Sequence, residues 1–162
     1  SYPDSSQFRL LSDQRVIADK ALSRGLGCEV GDEWVQISGI RTLGNDGLPI
    51  CWADVYVIPE YGSIAQRLGG SSRPVYEMIA EAFKESIDKI TVRVTAGTLS
   101  EQKARVLGVE AGSPSLSVWR FYQGMGGRVF EVSISEHPAS NFSYTFEFTR
   151  GWQTADHWSW SS

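Results

Sequence analysis

The segment Asp19-Lys20-Ala21-Leu22-Ser23-Arg24-Gly25-Leu26-Gly27-Cys28-Glu29-Val30-Gly31 aligns without a gap on Ser100-Glu101-Gln102-Lys103-Ala104-Arg105-Val106-Leu107-Gly108-Val109-Glu110-Ala111-Gly112. Each copy opens on a residue whose side-chain oxygen can cap a helix, Asp19 or Ser100. Each then runs through a short polar helix to Leu-Gly, where glycine accepts the left-handed conformation past the last turn. A Glu and a Gly lead from there into alternating residues, a turn (Asn45-Asp46-Gly47 or Gly124-Met125-Gly126-Gly127) and a second strand. The chain therefore reads as two helix–hairpin halves. Two such halves are most simply joined in one sheet with pseudo-twofold symmetry and a ligand cleft within it.

Trp34 to Arg41 reads as a strand with Val35, Ile37 and Gly39 on one face, and its return strand runs from about Leu48 to Ile58. The Asp-Gly between them is a strong hairpin signal. A loop from Pro59 to Arg73 leads to Pro74, suited to the first position of a helix. Val75, Met78, Ile79, Ala82, Phe83 and Ile87 then follow helical spacing. Ile90, Val92 and Val94 alternate as a strand, and further strands fall near Ser115–Tyr122 and Arg128–Glu136. A last one is expected through Phe142, Tyr144, Phe146 and Phe148. The class is α+β: a mostly antiparallel sheet of about six strands with flanking helices.

At 162 residues the chain is expected to be one domain, with Ser1 to Ser6 reading as the end of a linker. No apolar run approaches the roughly 20 residues that span a bilayer, and no secretory leader opens the sequence. The two cysteines, Cys28 and Cys51, have no partner at metal spacing and read as buried thiols. A net charge of −4 with scattered Lys and Arg argues against this segment itself holding nucleic acid. The three tryptophans between 151 and 162 form an unusual tail, compatible with an edge strand or a docking segment.

Catalytic signals are thin. Two histidines, His137 and His157, stand alone, and no nucleophile elbow, Walker loop, dinucleotide fingerprint or Cys-x-x-Cys occurs. No metal or cofactor is expected. Anion binding has more support, because Gly69-Gly70-Ser71-Ser72-Arg73 feeds directly into a helix whose N-terminal N–H groups and partial positive charge favour an anion. The same residues also suit an ordinary exposed loop. Along Arg128 to His137, Phe130, Val132 and Ile134 make an apolar face, while Glu131, Ser133, Ser135 and His137 line the other with hydrogen-bonding groups. That polar line fits a solvated face or a ligand site. Arg41, Arg93 and Arg120 are each compatible with an inward anion anchor or an outward solvated charge, and Trp52 and Tyr56 read as packing residues.

At these residues the chain resembles the effector-sensing UTRA domain of GntR-superfamily regulators of the HutC type, which share the chorismate lyase-like fold. The marks are Ala18-Asp19, Ala21, Leu26-Gly27 and Gly31, then Ile40-Arg41, Gly47-x-Pro49-Ile50, Tyr56 and Arg73-Pro74-Val75-Tyr76-Glu77-Met78-Ile79. The second half adds Ala104, Leu107-Gly108-Val109, Gly112-x-Pro114, Gly127 to Ser135 and His137-Pro138-Ala139 through Asn141-Phe142-x-Tyr144. The similarity covers about Phe8 to Thr149. It implies a sensing domain over residues 8–150, the tail 151–162, and a winged helix-turn-helix DNA-binding domain absent from this chain. It further implies a cytoplasmic, homodimeric transcription regulator that performs no chemistry, does not touch the membrane, binds a small-molecule effector and reaches operator DNA only through the absent domain.

The resemblance implies Arg41, Tyr76, Glu131 and His137 as ligand-binding positions, and the residue patterns add Ser72 and Arg73 of the loop before the helix, Ser133 of the polar strand face and Arg93 to the candidate set. Departures stand beside the matches. Arg41 corresponds to the second of two strand arginines, but the first position is Gly39; Ala53 and Asp54 replace a common Glu and Arg; Pro74 replaces a serine; His137 replaces a frequent Tyr. A sugar phosphate wants several convergent donors, so a smaller carboxylate or polar metabolite fits this set better. A chorismate lyase-like enzyme acting on an aromatic carboxylate is the competing expectation.

Overall fold

The computed structural model describes residues 6–44 and 47–150. Six strands form one sheet: β1 (Ser6–Ile17), β2 (Glu33–Leu43), β3 (Leu48–Val57), β4 (Ile87–Thr98), β5 (Pro114–Gly124) and β6 (Val129–Pro138), in the order β1-β2-β3-β6-β5-β4 with every pair antiparallel. Three helices accompany it: α1 (Lys20–Leu26), α2 (Val75–Phe83) and α3 (Glu101–Leu107). The α+β architecture read from the sequence is the observed one.

The repeat extends well beyond the two aligned segments. Ser6–Ile17, Lys20–Leu26 and Glu33–Leu43 are matched by Ile87–Thr98, Glu101–Leu107 and Pro114–Gly124, a constant offset of 81 residues. The backbone contacts repeat as well. Ala18 N–H donates to Asp32 O and Gly31 N–H to Ala18 O, as Leu99 N–H does to Ser113 O and Gly112 N–H to Leu99 O. Both helices are capped as expected: Asp19 Oδ1 accepts from Leu22 N–H at 2.8 Å and Ser100 Oγ from Lys103 N–H at 3.3 Å, and both stop at a left-handed glycine, Gly27 or Gly108. Asp19→Ala and Ser100→Ala should each cost about 1 kcal/mol in urea unfolding, and the double variant about 2 kcal/mol, because the caps share no partner.

Each hairpin also carries a bulge. In the first half Arg41 pairs with Cys51 and Thr42 with Pro49, which leaves Ile50 as the extra residue. In the second, Tyr122 pairs with Glu131 and Gln123 with Val129, which leaves Phe130. Phe130 therefore does not simply continue the Val132–Ile134 face; its ring lies 6.1 Å from Tyr61 and 6.4 Å from Tyr122.

The sheet is covered on both sides. On one face α3 packs Leu99, Ala104 and Leu107 against Ile40 and Trp52, and Gly25 of α1 approaches Trp119. Beneath α3, Lys103 Nζ pairs with Glu136 Oε1 at 2.9 Å, Ser115 Oγ donates to Glu136 Oε2, and Asp54 accepts from Ser38 and Trp52. The opposite face, which includes Ala53, Val55, Arg120, Tyr122 and Glu131, meets α2. Trp52 and Tyr56 are buried packing residues, as expected.

Three expectations are corrected. The first strand, β1, was not anticipated: burial alternates only from Ser6 to Leu11, and Ser12 to Arg15 of this edge strand are exposed in succession. The expected strand through Phe142 to Phe148 does not form. Its rings instead pack on one another in series, starting with Phe142 stacked on His137 at 3.8 Å and continuing to Tyr144–Phe146 at 4.8 Å. Part of the expected loop after Ile58 is a 3-10 helix, Pro59–Arg67, and Pro74 is the N-cap of α2 rather than its first helical residue. The turn residues 45 and 46 and the Trp-rich stretch 151–162 lie outside the described residues. No described helix is long and apolar enough to cross a membrane.

Candidate functional site

Between the sheet and α2 lies a cavity of about 120 Å³. Its floor is built by strand alternation. Arg41 comes from β2, Ala53 and Val55 from β3, Glu131, Ser133 and Ser135 from β6, Arg120 and Tyr122 from β5, and Ile90 from β4; Pro74, Val75 and Tyr76 close it from above and Phe8 from the side. The two halves contribute unequally. Register pairs Arg120 with Ser133 and Tyr122 with Glu131 in the second half, where the first half has Gly39 with Ala53 and Arg41 with Cys51. A symmetric frame thus carries an asymmetric site, apolar on one side except for Arg41 and polar on the other.

Glu131 is the most unusual group in it. The side chain is 1% exposed, and its Oε1 meets no hydrogen-bonding partner among the described residues. Burial pushes the carboxyl from its ordinary 4.5 up to about 8, against the opposing pull of the Arg120 guanidinium. Near neutral pH it is largely a neutral acid, able to donate one hydrogen bond and accept others. Tyr122, the cross-strand neighbour of Glu131, stacks on Tyr76 with ring centroids 4.9 Å apart.

Arg41 is 4% exposed and its donors are engaged. Nη1 donates to Ser71 O at 3.1 Å and Nη2 to Arg73 O at 3.4 Å, while the guanidinium lies 5.5 Å from the Phe8 ring centroid. The residue ties the loop before α2 to the sheet. That loop is also held by Phe8 N–H donating to Ser71 O and Gly70 N–H donating to Phe8 O.

Of the residues expected at a ligand site, Arg41, Tyr76, Glu131 and Ser133 come together in this cavity. The other four do not line it. Ser72 is exposed, and Arg73 turns outward to pair with Glu81 at 2.8 Å. Arg93 sits over Phe121 at 5.0 Å on the opposite sheet face, since alternation separates it from Ile90. His137 is buried against Phe142. Burial first, and the Arg120 charge second, push it from 6.5 down to about 4, despite a hydrogen bond to the Ile50 backbone. Arg120 and Ser135 are the polar residues missing from the expected set. Ser135 was visible in the alternation of β6, and Arg120 in the repeat, which sets it against Gly39.

A second, more open groove of about 580 Å³ runs along Leu26, Trp34, Ile58 and Val129. Its acidic rim is largely occupied internally: Glu33 pairs with Arg15, Glu60 with Arg128, and Asp32 accepts from Glu29 N–H. The cavity beneath α2 is therefore the stronger site.

The UTRA domain family matches residues 3–143 of the chain. No curated protein sequence matches it. The fold is similar to that of the ligand-binding domain of a protein assigned to the GntR family of transcriptional regulators from Bordetella bronchiseptica, with a TM-score of 0.74 and 21% identity, covering 92% of each chain. A GntR-family transcriptional regulator from Bacillus cereus gives 0.73 and 18%, covering 90% of this chain and 99% of that one. The effector domain of PhnF from Mycobacterium smegmatis gives 0.73 and 16%, covering 90% and 88%.

Proposed function

Since the chain belongs to the UTRA domain family, we propose that it is the effector-binding and dimer-forming domain of a HutC-type GntR regulator, spanning residues 8–150. In this reading a small carboxylate or other polar metabolite enters the cavity between the sheet and α2. Its binding alters how a DNA-binding domain outside these residues meets the operator, in the cytoplasm. The observation that carries the reading is the buried Glu131 carboxyl, whose Oε1 lacks a partner among the described residues on the wall of the cavity. A buried polar group left unsatisfied costs about 1–3 kcal/mol, and a ligand that bonds to it recovers that cost. Likeness to regulator domains in fold supports the same reading.

The test is a thermal-shift screen against carboxylates, amino-acid derivatives and sugar phosphates. A ligand at a hundredfold excess over its dissociation constant adds about 2.7 kcal/mol, which for a domain of this size raises the melting temperature by roughly 5–10 °C. Glu131→Ala should weaken the hit at least tenfold while the variant still unfolds cooperatively. A hit that persists in Glu131→Ala places the ligand elsewhere. Pyruvate released from chorismate would replace the sensor with a chorismate lyase-like enzyme.

A further inference from the structure

Two arginines reach the cavity, and their surroundings differ. The donors of Arg41 meet the carbonyls of Ser71 and Arg73, and its flat face meets Phe8. Arg120 projects from β5 in the polar half, opposite Ser133, and its charge acts on Glu131 and His137 of β6, Tyr76 of α2 and Tyr144 of the C-terminal segment. The repeat gives this placement a further meaning. With the constant offset of 81, Arg120 is the counterpart of Gly39, the strand position on β2 that carries no side chain. Gly39 cannot supply one, because a Cβ there would lie 2.4 Å from Phe8 Cζ and 2.6 Å from Arg9 O. Phe8 occupies the space above it. The cationic position absent from the first half is therefore present once, on the second half, on the same face of the same sheet.

We propose that Arg120 receives the acidic group of the effector and sets the charge preference of the cavity, while Arg41 is a positioning residue that latches the 68–74 loop over it. This rests on the effector-binding reading of the same cavity and assigns the anion contact within it to one residue. The remaining geometry fits a small acid. Ser133 stands across from Arg120, Tyr76 and Tyr122 stack on each other in the lining, and Glu131 offers a second hydrogen-bonding group there. Arg73, which sequence reasoning favoured as an anion ligand, is committed to Glu81 outside the cavity.

The experiment compares the parent chain with Arg120→Gln, Arg120→Lys and Arg41→Gln. Iodide soaked into crystals serves as a generic anion probe, and benzoate against benzamide serves as a pair of one shape with and without charge. Iodide should sit on the Arg120 guanidinium inside the cavity and vanish in Arg120→Gln. In solution the parent should bind benzoate at least tenfold more tightly than benzamide; Arg120→Gln should abolish that preference and Arg120→Lys retain most of it. Arg41→Gln should instead accelerate backbone hydrogen exchange across residues 68–74 at least tenfold, an effect Arg120→Gln does not produce. Iodide seated on Arg41, iodide nowhere in the cavity, or a benzoate preference that survives in Arg120→Gln would overturn the assignment and leave effector sensing intact. Iodide on Arg120 with no response to any acid in the wider screen would instead uphold the charge assignment and remove the carboxylate reading of function.

Discussion

Glu131→Gln should become more stable than the parent chain as pH rises from about 4.5 to 8, by up to about 5 kcal/mol across that range. In the folded chain the Glu131 carboxyl holds its proton up to about 8, whereas the ordinary value is 4.5. Between those values the folded state binds a proton that the unfolded state has released, so stability falls with rising pH, at about 1.4 kcal/mol per unit. His137 has the opposite slope. It is pushed from 6.5 down to about 4, so its unfolded form takes up a proton first and stability falls as pH drops through that interval. The two slopes cancel between about 4.5 and 6.5. Above 6.5 only the carboxyl remains, and the parent should lose about 2 kcal/mol by pH 8. In Glu131→Gln the rise due to His137 should stand alone, followed by a flat region. Urea unfolding of both proteins from pH 4 to 8.5 gives the difference curve directly, and parallel curves would show that Glu131 titrates as an ordinary surface acid.

Such a carboxyl is costly to keep, and its neighbours show what the cost accompanies. Val57 and Tyr122 face it across the two adjoining strands, and an apolar residue of similar size would satisfy the packing without a polar atom to bury. In the first half the equivalent position is Cys51, which does just that. The fold therefore does not require an acid there. Polar atoms concentrate on the cavity side of β5 and β6, and this is where one half of the repeat has departed from the other.

Much of this architecture could be read from the residues, for a physical reason. Caps, Leu-Gly stops and hairpin turns are local signals, and the chain displays them twice, so each half corroborates the other. What could not be read depended on contacts distant in sequence. β1 alternates only over its first residues, is exposed from Leu11 to Arg15, and is fixed by pairing with β2. The aromatic run after His137 alternates like a strand, yet its rings pack on each other and on His137. At the site, Glu131 and Ser133 followed from alternation and Tyr76 from the family resemblance. Arg73 and Arg93 misled for different reasons: the flexible stem of Arg73 turns out to Glu81, and alternation puts Arg93 on the sheet face opposite the cavity, over Phe121. Arg120 is instead held by a central strand, with neighbours on both sides.

Gly39→Ala should be the most damaging single methyl group that can be added to the sheet floor, costing about 3 kcal/mol, the upper part of the usual range for overpacking. The added Cβ would lie 2.4 Å from Phe8 Cζ and 2.6 Å from Arg9 O, and neither neighbour is free to yield. The Phe8 ring is 1% exposed and carries the Arg41 guanidinium on its face, while Arg9 is fixed by its pairing with Ile40 in the β1–β2 ladder. Phe8→Ala on its own should cost about 3–5 kcal/mol through the cavity it leaves. Combined, the two should cost less than their sum by about 1–2 kcal/mol, because removing the ring relieves one of the two collisions and leaves the carbonyl. Urea unfolding of the four proteins measures this coupling. Strict additivity would mean that β1 shifts away from Gly39 as a unit, in which case an arginine at 39 would also be tolerated. Coupling of the expected sign means that the Phe8 ring and a side chain at 39 exclude each other. A cation at this strand position then has to come from the counterpart strand, where Arg120 stands.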